Sequence, residues 1–171
     1  MVLVVMGVSG CGKSTVAACM ATSLGWTFIE GDAFHPPENV QRMAQGIALT
    51  DADRVVWLDR LATELAHQSE QGKSVILACS ALKKSYRDVL RRGCPDAFFV
   101  HLEGTAELIG KRLASRKGHY MPPSLLQSQF DTLEPPLPPE KAWRYDVSQS
   151  PQAIVQDLLA RLGKGSAAQS R

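Results

Sequence analysis

Gly7-Val8-Ser9-Gly10-Cys11-Gly12-Lys13-Ser14 follows a short apolar run, Val2 to Met6, and leads into a segment whose apolar residues have helical spacing. The octet fits G-x-x-x-x-G-K-[ST] without a mismatch. Gly7, Gly10 and Gly12 allow backbone angles that a Cβ resists. The N–H groups of Val8, Ser9, Cys11 and their glycine neighbours can therefore turn toward one anion, with the positive end of the next helix behind them. Lys13 brings a full charge to the β/γ oxygens of a nucleoside triphosphate, and the Ser14 hydroxyl suits Mg²⁺. A strand, a glycine loop and a helix in this order point to a phosphate loop. They specify neither the nucleotide nor the chemistry.

Outward from the loop, Val16, Ala17, Met20 and Leu24 form one stripe of a helix over 13–24 that Gly25 ends. Residues 26–30 read as a strand, and His35-Pro36-Pro37 as a turn into a short helix to about 45. Thr50 or Asp51 caps a longer helix with Leu58, Leu61 and Leu65 on its apolar face, closed by Gly72. Strands are expected over 74–79, 97–102 and 144–148, and helices over 81–92 and 105–115. Six of the ten prolines lie between Pro122 and Pro139, around a short helix at 124–132, which suggests a mobile lid over about 116–140. Ser150-Pro151 starts a last helix that Gly163 stops, leaving 164–171 as a flexible tail. The alternation gives an α/β fold in three layers: a five-stranded parallel sheet with helices on both faces, one domain over 1–163.

With 171 residues, 44% hydrophobic and 21% charged, the chain can bury a core without a metal or disulfide staple. Nineteen basic against seventeen acidic residues give no reason to expect nucleic acid or a membrane as partner. The start lacks a basic leader, and no apolar run nears the roughly 20 residues of a membrane span. Cys11, Cys19, Cys79 and Cys94 have no CxxC spacing and read as small residues of a reducing compartment.

The chain has no Asn-Lys-x-Asp, which argues against a GTPase. The buried run Val75–Cys79 ends without the acid of a motor or AAA-type ATPase. A small P-loop kinase remains. Its acceptor hydroxyl needs an acid, and Glu30-Gly31-Asp32 stands at the C-terminal end of a strand, where open α/β sheets bind ligands. Asp32 can orient that hydroxyl and take its proton, and Glu30 can hold Mg²⁺ through water. A turn acid without function is the alternative. Arg112, Arg116 and His119 crowd the approach to the proline-rich lid and can meet a transferring phosphoryl group, or else form a solvated helix end. Lys83 and Arg87 share a helix face and can hold an anionic acceptor, or be an exposed basic face. His35 admits a substrate or a turn role, and Gln129 is a further polar group for the acceptor. Trp57 and Trp143 read as packing residues.

The chain resembles the gluconokinases over nearly its whole length. The resemblance rests on Gly7–Thr15, Gly31-Asp32 with His35-Pro36, Leu49–Arg54 with Trp57-Leu58, and Cys79–Lys84 with Tyr86-Arg87-Asp88. Arg116–His119 running into Met121-Pro-Pro123 and Leu126–Pro135 is its most specific part. It implies ATP and Mg²⁺ as cofactors, D-gluconate as the partner substrate phosphorylated at its 6-hydroxyl, and a cytoplasmic homodimer with a mobile lid. By position it implies that Gly10–Thr15 bind ATP, Asp32 faces the acceptor and Arg116 belongs to the lid. Shikimate-kinase-like or nucleotide-kinase activity, and a binding module that transfers nothing, are the alternatives.

Overall fold

A computed structural model describes residues 1–115 and 123–168, with side chains over 1–115 and 124–163. The elements run β1 (Val2–Met6), α1 (Lys13–Leu24), β2 (Thr27–Glu30), a 3-10 turn (Gly31–Phe34), α2 (Pro37–Ala44) and α3 (Asp51–Glu70). There follow β3 (Val75–Ala78), α4 (Lys84–Gly93), β4 (Phe98–Glu103), α5 (Ala106–Ser115), α6 (Pro123–Thr132), β5 (Ala142–Asp146) and α7 (Pro151–Ala168). The five strands form one sheet in the order β2-β3-β1-β4-β5, and every pairing is parallel. From β1 the chain moves out to β2, returns to β3 beside β1, then crosses to β4 on the far side. Loops leaving β1 and β3 therefore part at the C-terminal edge, which is where a crevice opens in such sheets.

Strand alternation builds the layers. Leu3 and Val5 of β1 pack with Val16 and Met20 of α1, Ile109 of α5 and Ile154 and Leu158 of α7. Val2, Val4 and Met6 point the other way, onto Trp57, Leu61 and Leu65 of α3 and Leu90 of α4. A strand buried on both faces carries no polar position, hence the unbroken apolar run.

Several boundaries differ from expectation for local reasons. Helix α4 starts at Lys84 rather than 81, because Ala81 adopts φ 45°, a left-handed angle no α-helix tolerates. Strand β5 begins two residues early, set by pairing Phe99 with Ala142. Helix α7 does not stop at Gly163 but continues to Ala168. A glycine ends a helix when it takes a left-handed angle, as Gly25 does at φ 66°, and Gly163 does not. The expected lid over 116–140 includes residues 116–122, outside the described residues; within its remainder stands α6. The cap of α3 is a full capping box, Thr50 with Asp53.

Candidate active site

The loop after β1 curls where its glycines require it. Gly7 has φ 140°, and a Cβ there would meet the Leu102 carbonyl oxygen at 2.5 Å. Gly12 caps α1 at φ 100°, and no side chain satisfies the helix's first N–H groups, which leaves them for a ligand. Lys13 Nζ donates to the Val8 carbonyl at 3.1 Å, folding back over its own loop. Cys11 is buried, and burial pushes its thiol up against the pull of Lys13. Burial likewise pushes Cys79 up to about 12. Neither is a thiolate nucleophile.

Above the loop lies a cleft of about 720 Å³. Ser9, Gly10, Gly12, Lys13 and Ser14 form its floor, Glu30 and Asp32 come from the end of β2, and Ser128, Gln129 and Thr132 come from α6. Val40 and Met43 of α2, with Arg54 and Trp57 of α3, close the remaining side. Asp32 is largely exposed to this space. Its turn packs tightly on β3, because a Cβ on Gly31 would lie 2.5 Å from the Ala78 carbonyl oxygen.

Trp57 does more than pack. Its Nε1 donates to the Gly31 carbonyl at 2.8 Å, and its ring stacks on His35 at 4.1 Å between centroids. His35 is buried in the cleft wall, with Nε2 3.9 Å from Asp32 and Nδ1 without a partner. Burial lowers the His35 pKa, Asp32 raises it and Arg54 lowers it again, so the ring is neutral at pH 7. Trp143 packs on Phe98 at 4.4 Å.

Two expected acceptor cations lie elsewhere. Arg87 is 1% exposed and forms a fork with Glu140 at 2.7 and 2.9 Å, and it also donates to the carbonyls of Ala81, Leu82 and Glu134. It clamps the proline-rich segment onto α4 and does not reach the cleft. Lys83 is paired with Asp51 at 2.7 Å and likewise does not line the cleft. Sequence spacing puts both on one helix face but cannot show that acids 32 and 53 residues away claim them.

Gln129 touches the loop itself. Its Oε1 accepts from the Ser9 N–H at 2.6 Å, and its Nε2 donates to Ser9 Oγ at 3.2 Å. Arg112 donates to the Val147 carbonyl at 2.5 Å and is near enough to the loop to act on Cys11. Arg116 and His119 lie outside the described residues. Among the described residues of the cleft, Arg54 is the charged one to which the sequence assigns no role. Its local signal is its place three residues before Trp57, on the same face of α3.

Among the described residues no cluster of three or more His, Cys, Asp or Glu could hold a metal alone. Ser14, Glu30 and Asp32 are oxygen donors in one cleft. They suit Mg²⁺, which keeps waters and phosphate oxygens as most of its ligands.

The profile of the family described as AAA domain matches residues 2–136. The gluconokinase of Gluconobacter oxydans (strain 621H) is 48% identical, over 92% of this chain and 88% of its own. The chain belongs to the gluconokinase family. The probable gluconokinase of Rattus norvegicus is 46% identical, over 94% and 97%. The crystal structure of a gluconokinase from Sinorhizobium meliloti 1021 superposes with a TM-score of 0.87 at 46% identity, over 99% of this chain and 97% of that one. In this chain β3 leads into Cys79-Ser80 with no acid at its C-terminal end. The cleft is thus that of a P-loop kinase that uses ATP and transfers phosphate to an alcohol.

Proposed function

We propose that this chain phosphorylates D-gluconate at the 6-hydroxyl with ATP, giving 6-phospho-D-gluconate and ADP. The observation that carries the reading is the shared cleft, where the phosphate loop and the exposed carboxylate of Asp32 face one space. The loop from Gly7 to Thr15 holds the triphosphate through the backbone N–H groups that it does not already spend on Ser80, Val8 and Gln129, and Lys13 exchanges the Val8 carbonyl for the β/γ oxygens. Asp32 orients the acceptor hydroxyl and receives its proton as the new O–P bond forms and the bond to the leaving oxygen breaks. His35 lines the cleft beside Asp32, where the ring meets the polyol and keeps the acid's turn in place. Ser14, with Glu30 behind a water, would hold Mg²⁺, which supplies charge neutralisation between the phosphates.

Arg112, Arg116 and His119 supply positive charge from the lid side, and the lid over about 116–140 closes on the nucleotide. The enzyme works as a cytoplasmic homodimer; among the described residues no helix is long and apolar enough to cross a membrane. A steady-state assay coupled to ADP release, run with D-gluconate, shikimate and nucleoside monophosphates, tests the reading. The expected result is turnover with gluconate far above the others. Faster turnover with shikimate or a nucleotide overturns it, and so does ATP binding without any phosphorylated sugar acid.

A further inference from the structure

A carboxylate that enters a partly enclosed cleft loses hydration, and a cation with well-placed donors must replace it. Among the described residues the cleft offers three candidates: Lys13, His35 and Arg54. Lys13 lies in the phosphate loop, and the transferring phosphates need its charge. His35 is buried, its ring stacked on Trp57 and its Nδ1 closed off from the cleft. Lys83 and Arg87 are held by Asp51 and Glu140, outside the cleft.

Arg54 remains, and its surroundings hold it ready. It sits half-buried on the first turns of α3, anchored by the capping box below it. One N–H group donates to the Leu49 carbonyl, and the guanidinium lies 5.6 Å from the centre of the Tyr86 ring. Of its five donors, that is the one with a protein acceptor among the described residues. No carboxylate there is within ion-pair distance, and none of its nitrogens is buried without a partner, so the remaining donors face solvent in the cleft. A planar fork with free donors matches a carboxylate in shape as well as charge. Asp32, His35 and Arg54 line the same cleft, with His35 3.9 Å from the acid.

Resting on the gluconokinase reading, we propose that Arg54 binds the carboxylate of the acceptor. It thereby selects sugar acids over neutral polyols and turns the far hydroxyl toward Asp32.

The test compares D-gluconate with D-gluconamide, which keeps every hydroxyl and loses the charge, at saturating ATP. In the wild type the amide should show a KM at least about 30-fold higher. Arg54→Gln should raise the gluconate KM by about 10²-fold and change the amide KM less than about threefold, closing the gap between them. Arg54→Lys should restore part of the preference, as a point charge without the fork. Equal wild-type KM values for the two substrates overturn the proposal whatever the variants do. An Arg54→Gln change that weakens both substrates alike also overturns it. Absence of wild-type turnover with gluconate sinks the functional reading itself, and the role of Arg54 with it.

Discussion

Asp32 rides on the four-residue turn Gly31–Phe34, and Trp57 grips that turn through the Gly31 carbonyl and the stacked His35. The two residues therefore separate chemistry from positioning. Asp32→Asn keeps the shape and removes the proton acceptor, so kcat should fall about 10²-fold or more. Steady-state kinetics with gluconate checks this, and a change in KM alone would make Asp32 a binding group. Trp57→Phe keeps a ring against His35 but leaves the Gly31 carbonyl without its donor. There kcat for gluconate should fall about tenfold while the KM for ATP stays within about twofold, because the acid loses its aim and the loop does not. Equal losses in both parameters would mark a general loss of packing.

Two tethers join elements that the chain separates widely. Gln129 fastens α6 to the phosphate loop through two bonds to Ser9, 120 residues away. Gln129→Ala should lower amide hydrogen-exchange protection in α6 about tenfold, since the helix loses its charge-free link to the sheet layer. Unchanged protection would mean that apolar packing of Leu125 and Leu126 holds the helix alone. The second tether is Arg87 with Glu140, both nearly enclosed, and Arg91 adds a bond to the same carboxylate. Burial resists the Glu140 charge, yet the two guanidiniums hold its pKa down at about 2. Glu140→Gln leaves Arg87 charged and enclosed without its anion, so stability should drop by about 3–5 kcal/mol, read from urea unfolding.

At the scale of the whole molecule, acid should act through His101. It lies on the inner strand β4, 1% exposed, with neither ring nitrogen in a hydrogen bond and Nδ1 3.9 Å from a Glu103 carboxylate oxygen. Burial lowers its pKa, and Arg144 and Arg87 lower it further, to about 4 from 6.5. Between these values the unfolded chain binds a proton that the folded chain refuses. Stability is therefore full above pH 6.5 and declines as pH falls toward 4, by at most about 3 kcal/mol. Glu140 extends the decline below its ordinary value of 4.5, because its folded pKa is depressed and its pairing is lost on protonation. Thermal melts across pH 7 to 4 check this. His101→Leu should reduce the slope between 6.5 and 4, leaving the share of His35, whose pKa burial also lowers, and should leave the lower part in place.

The fold was readable because its decisive signals are local. Val2–Met6 has no polar position, so it must be an inner strand, and the glycine octet admits one backbone shape. Gly25 and the box at Thr50 mark helix ends by conformations that depend on neighbours in sequence. The same locality placed Asp32 at a strand end beside the loop. What only the tertiary structure decided is which charges are spent and which are free. Lys83 and Arg87 look as available as Arg54 when read along the chain, and Trp57 looks like any core tryptophan. Partners come from remote segments, Asp51 for Lys83, Glu140 for Arg87 and Gly31 for Trp57. Pairing depends on distance in space, and sequence spacing carries that information within a helix turn but not across a sheet.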